Sequence, residues 1–544
     1  MSKKKRKAKK KTKATDELQK HSGRAKAGKG SKGVSVSMAL AVSASTAARP
    51  ESKIPRPYRT RYPVKMAEYL QTKADAAAKK SRPVRRRPAR GAESALDAVA
   101  DRDRRKPTRH AAQAAPSLAP TAAPVQRRNF EGIRATGWLP PDCTMAAGPN
   151  HVLVSVNSTI AIHRKTGGRL NQRRLTDWFA NLQNVRGSTI FDPKLLYDQH
   201  DGRYVLLAVA VNNATRRSWF LLSVSSTADP LGAWRNYALD AKRDGSTQTN
   251  NWADYPAIGV DAHSLYITAN MFAFNGGFRY AKVRVVPKRG PYSGATVRWW
   301  DFVRLKNLDN TLAFTVQPCH TYGDPGHEYL VNSLFPNGSE LTLWTLTNVR
   351  GTPSLWRRSV ATGPYRMPPD AVQSGGGPRL DSGDVRSLHA VCRGGSVYTA
   401  LTTGHNWGTG SNVAAIHWFQ INGASGILNQ EGIYGARGRH YFYPALTADS
   451  NGNLTMVFSR SSRREFASMR YTGRRVSDPP GRMQGSARIR AGLANYEGLD
   501  GLGRNRWGDY NGVAADPDGR TVWMYAPYVS ARDTWSTRVG SSRF

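Results

Sequence analysis

One plan recurs along the chain from residue 138 onward. WADYPAIGVDAHSLYITANMF (252–272), FYPALTADSNGNLTMVFSRSS (442–462) and RWGDYNGVAADPDGRTVWMYAPYV (506–529) each contain an aromatic or Asp-Tyr pair. A short strand of small residues follows, then a turn at an Asp, then an alternating apolar strand. Asp254 to Asp261 and Asp509 to Asp516 are both seven residues apart. Looser copies lie at 140–159, 191–211, 318–335 and 386–403. The first turn residues of the seven units are Gly148, Asp198, Asp261, Asp324, Arg393, Asp449 and Asp516, at intervals of 50 to 69 residues. Four short strands and their connections need about 40–50 residues, and insertions extend this. The pattern therefore predicts an all-β protein, a β-propeller of seven blades. Six is the alternative if the weak units around 319 and 388 are one distorted blade. Asp at five of these turns can bond the backbone two residues on, and small residues suit the crowded axis where blades converge.

The repeat stops short of the N-terminus. Residues 1–128 hold 35 of the 81 Lys and Arg, 9 of the 38 Asp and Glu, and none of the 14 Trp. Such a segment buries too little apolar area to offset its chain entropy, so a disordered basic tail is predicted over 1–128 and the propeller over 129–544. Blocks of like charge bind polyanions; the partners expected of this one are acidic cell-wall polymer, anionic lipid or nucleic acid, and a self-repelling spacer is the plainer reading. GVSVSMALAVSASTAA (33–48) has the small residues of a cleavage site, but its apolar run is broken by Ser and follows 32 residues. No apolar run approaches the roughly 18 residues of a spanning helix. Three cysteines rule out a disulfide-built scaffold, although Cys319 and Cys392 fall in adjacent units where a disulfide between them is geometrically allowed.

Several motifs in order carry a resemblance. PPDCTMAAGPNHVLVSVNSTIAIHRKTGG (140–168), IFDPKLLYDQHDGRYVLLAV (190–209), LLSVSSTADPLGAWRNY (221–237), DYPAIGVDAHSLYITANMF (254–272) and NRWGDYNGVAADPDGRTVWMY (505–525) resemble a family of uncharacterised, mostly exported bacterial proteins described as sialidase-like β-propellers. The resemblance spans about residues 137–530. It implies the propeller fold and an extracytoplasmic or cell-surface setting, and it implies no settled activity. Cys143 stands where that family more often has Thr, and the basic tail is not a family feature.

Candidate site residues follow from repeat equivalence. Asp142, Asp192, Asp254 and Asp509 precede or open the small-residue strands of four units, and so are expected around one mouth of the central channel. Arg386, Tyr443, Arg506 and Trp507 sit at related positions, as do His320 and His389. Such a ring has three readings. Two carboxylates could serve as acid and base or nucleophile in glycoside hydrolysis. Several could hold a hard cation such as Ca²⁺. Or each Asp could cap its own blade through backbone N–H groups. Recurrence in blade after blade favours the third. Glu is scarce in the body, the DPDGRTVW turn (516–523) lacks the leading Ser of a sialidase Asp-box, and no nucleophile elbow, phosphate loop or His-Glu-x-x-His helix is present. The expected function is a propeller that binds a glycan or protein at its mouth. A sialidase-like hydrolase and a tail-driven nucleic-acid partner are the alternatives.

Overall fold

The computed structural model describes residues 122–408 and 410–544. Seven four-stranded antiparallel meanders surround an axis. They cover 144–174 (blade I), 189–240 (II), 251–303 (III), 317–365 (IV), 389–434 (V), 439–490 (VI), and 512–543 with 125–134 (VII). Five are separate sheets. Blades III and V are fused into one nine-stranded sheet by the short strand His320–Tyr322, which pairs in parallel with both neighbours. The units around 319 and 388 are thus two blades, and the count is seven. Their sequence signal is weak because blade IV splits its inner strand into Gln317–Pro318 and His320–Tyr322, each with a different partner.

The innermost strands touch in chain order, from Thr144–Ala147 round to Gly512–Ala515, which returns to Thr144–Ala147. The ring is closed by backbone hydrogen bonding. Strand Val125–Arg134 runs antiparallel to the last strand, Thr534–Arg543, and becomes the outer edge of blade VII. It begins inside the segment predicted as tail. Arg127 and Arg128 are exposed, whereas Gly132 and Ile133 face the core, so a basic composition did not preclude a strand held by its main chain.

The turn reading is met in detail. Asp198, Asp261, Asp324, Asp449 and Asp516 each accept the N–H of the residue two positions on: His200, His263, Gly326, Asn451 and Asp518. Two of them also anchor the next strand. Asp261 accepts from the Tyr266 hydroxyl at 2.7 Å, and Asp516 from Trp523 Nε1 at 2.7 Å. These turns lie at the opposite end of the channel from the predicted mouth.

The Asp261→Ala variant loses the partners of two backbone N–H groups and of the buried Tyr266 hydroxyl. It should destabilise the fold by about 2–4 kcal/mol in urea unfolding, whereas Asp324→Ala, at an exposed turn, should cost under about 1 kcal/mol. Equal losses would show that the buried acceptors do not set the cost.

Candidate functional site

The mouth is built by a repeated local device. In blades II, III and VI the innermost strand carries one extra residue against its neighbour, between Phe191 and Lys194, Asp254 and Ala257, and Phe442 and Ala445. At each bulge a residue with positive φ precedes a proline: Asp192 (51°), Tyr255 (50°) and Tyr443 (53°). Asp142 (50°) and Thr315 (54°) hold the same conformation before the inner strands of blades I and IV. Left-handed backbone costs a non-glycine residue roughly 1–2 kcal/mol, so other contacts must hold it there, and a bulge of this kind re-aims its side chain. Alignment on the prolines makes Tyr255, and not Asp254, the counterpart of Asp192. Asp254 is one residue earlier, half-buried, and opposite Asn270.

The re-aimed side chains meet two long connections, 366–388 between blades IV and V and 491–511 between blades VI and VII. These connections bond to each other, Asp381 N donating to Asn505 O at 2.9 Å. The Tyr443 hydroxyl donates to Asp381 O at 3.0 Å, and the Tyr255 hydroxyl to Asp509 O at 3.2 Å. Asp509 N donates to Asp142 Oδ1 at 2.7 Å. Asn157 links blades I and II, giving its amide to Asp142 and accepting Asp192 N at 2.8 Å.

Charges here pair with one another. Arg506 donates to Asp509 Oδ1 at 2.6 Å, with its Nε 3.6 Å from Asp381. Arg386 Nε donates to Asp384 Oδ1 at 2.7 Å, and its guanidinium stacks 4.4 Å from the Tyr255 ring. Asp142, Asp192, Arg386, Tyr443, Arg506, Trp507 and Asp509 are all buried, none more than 8% exposed. The structure therefore brings most of the predicted mouth residues together, but as a covered polar plug and not as an open rim. Trp507 is core: its Nε1 donates to Ser459 Oγ at 3.0 Å and its ring stands edge-on to Tyr496.

Beneath the plug the channel holds a cavity of about 50 Å³, room for little more than water. His320 and His389 line it, along with Lys194, which sequence reading missed. The Lys194 ammonium lies 2.9 Å from the centre of the Tyr510 ring. Burial pushes it down to about 7, against the attraction of Asp192, Asp142 and Asp509. Burial first, then Lys194, lowers His389 to about 4. Among the described residues no group of His, Cys, Asp and Glu has the arrangement of a metal site. The cysteines are free, buried thiols. Cys392 lies opposite Thr321, two residues from Cys319, and the disulfide that the sequence allows between them is not formed.

The closed ring defines the chain as a β-propeller. No family model matches it, and no curated protein does. Among solved structures it is similar to a protein of unknown function from Dyadobacter fermentans (9% identity, 65% of this chain and 94% of that one, TM-score 0.39). It is also similar to the Penicillium chrysogenum α-L-arabinanase complexed with arabinobiose (10% identity, 77% and 99%, TM-score 0.35). A third is the Trypanosoma rangeli sialidase in complex with the inhibitor DANA (10% identity, 77% of this chain and 60% of that one, TM-score 0.34). None of these likenesses bears on activity.

Lys194 gives the plug a pH signature. Between about 7 and its unfolded value of about 10.4, the unfolded chain binds the proton that the folded one releases, so stability rises with pH through this window. The slope from this group is at most about 1.4 kcal/mol per pH unit. Urea unfolding across that range should show the rise in the wild type and its loss in Lys194→Met. An unchanged slope in the variant would assign the rise to other groups.

Proposed function

We propose that this protein is a binding and scaffolding propeller that takes a glycan or protein ligand on the face carrying the plug, and not a glycosidase. One observation supports the reading above others: the carboxylates gathered at the channel mouth are buried and already engaged. Hydrolysis of a glycosidic bond needs two carboxyl groups that flank an open substrate cleft. Here Asp509 is held by Arg506, Asp384 by Arg386, and Asp142 by Asn157 and the Asp509 amide. Removing one member of such a buried pair strands the other, which costs about 3–5 kcal/mol and marks a structural role. The basic segment expected to hold an anionic surface or polymer lies almost wholly outside the described residues, and its role belongs to the same proposal.

The test is a hydrolysis screen of the full chain on a broad panel of fluorogenic glycosides, with and without Ca²⁺, beside glycan and protein arrays. No turnover and saturable binding on the arrays is the expected result. Turnover abolished in Asp509→Asn with the fold retained would overturn the proposal and make the mouth an active site. On the stability side, Arg506→Met should lower the unfolding free energy by about 3 kcal/mol or more. A near-neutral effect would mean that the plug is not holding the fold.

A further inference from the structure

Beside the plug, on the same face, a cleft of about 720 Å³ runs along blade VI. Three arginine-bearing stretches form most of it: the connection 366–388, the turn before strand Arg439–Ala448, and the upper ends of the blade VI strands. Arg379, Arg437, Arg439, Arg463, Arg464 and Arg488 line it, all exposed, and none makes an ion pair among the described residues. Two more arginines form its floor. Glu465 accepts from Arg460 Nε at 2.7 Å and from Arg470 Nε at 2.7 Å, so the one carboxylate in the lining is already shared between them. Burial and then the neighbouring Arg460 work against the charge on Arg470. His440 is neutral there, lowered to about 4 by burial and then by Arg379.

Eight guanidiniums against one carboxylate repel each other unless an anion enters, and guanidinium forks match oxygens in pairs on phosphate groups. The lining also decides between kinds of anion. Single-stranded nucleic acid is held by stacking its bases on aromatic rings. Phe466 is the only Phe, Tyr or Trp in this lining, and it is half-buried. The cleft is charge-rich, compact and poor in stacking surface. We propose that it binds a short chain of linked phosphate groups. This goes beyond the function proposed above and stands without it, because none of the paired charges of the plug lines the cleft.

Tripolyphosphate is the probe, and the full chain is the protein. Arginine modification by phenylglyoxal, read by mass spectrometry, reports each site separately. Arg463, Arg464 and Arg488 should be protected at concentrations at least about 10-fold below those protecting Arg85, Arg86 and Arg87 of the basic segment. Orthophosphate should be at least about 10-fold weaker than tripolyphosphate. Tripolyphosphate should also raise the melting temperature of the wild type and of Arg173→Ser on blade I, and raise it much less in Arg463→Ser/Arg488→Ser. Because these arginines are exposed, the double variant should fold. Protection of cleft and basic-segment arginines at equal concentrations, or equal potency of orthophosphate, would overturn the proposal. An oligonucleotide that protects the cleft at lower concentrations than tripolyphosphate would overturn it in favour of nucleic acid.

Discussion

The ring depends on one non-covalent seam. Strand Val125–Arg134 pairs with Thr534–Arg543 and so ties the two ends of the described chain into a single blade. Without it blade VII would expose a hydrogen-bonding edge, and the apolar faces between blades VII and I would lose their register. The seam is more than backbone. The Thr537 hydroxyl lies 2.7 Å from both Ile133 N and Ile133 O, 404 residues away in sequence. Phe130 sits edge-on to Trp523 and packs tilted against His163 of blade I, so the closing strand also grips the first blade. Arg538 adds an ion pair to Glu131. Closure fixes the diameter of the axis, and with it the space that every inner strand must share.

That shared space explains the plug. Seven inner strands leave a channel too wide to fill with the small residues of PAIGV or NGVAA. The chain fills its mouth from above with 366–388 and 491–511. Polar main chain in those connections needs partners away from water, and the positive-φ positions supply them by turning Asp142, Tyr255 and Tyr443 inward. Arginines then neutralise the acids. Each step is a response to the one before, so these residues recur by position in the ring without any shared chemistry.

How much of this could be read beforehand depends on range. The turn Asp residues were legible because an Asx turn is closed within three residues and repeats with the blade. The bulge was half legible: the proline that follows Asp192, Tyr255 and Tyr443 is visible in the sequence, but an alignment made on Asp placed Asp254 one residue out. The cover over the mouth was not legible. Connections 366–388 and 491–511 have no period, and only the fold brings Asp381 to Asn505 or Asp509 to Asp142. Lys194 escaped notice for a related reason, because a lysine beside a strand proline reads as an exposed edge and only ring closure buries it. The closing strand was hidden by its arginines, which face solvent while the main chain does the pairing.

The same division of labour shapes the surface. A propeller blade wants an Asp at its turn, and this one wants several more in the plug. Asp142, Asp192, Asp198, Asp261, Asp301, Asp384, Asp449 and Asp516 are all buried. Structural duty thus draws carboxylates inward from a body whose Lys and Arg already outnumber its Asp and Glu. Most arginines have no such duty and remain outside, where their charge is balanced only locally, as Arg504 is by Asp500. Where three arginine-bearing segments converge, as on blade VI, local balance fails and a concentrated positive field faces solvent. Fields of that kind raise the local concentration of anions and steer them inward. The blade VI cleft is therefore a consequence of how the fold uses its acids as much as of how many bases it has.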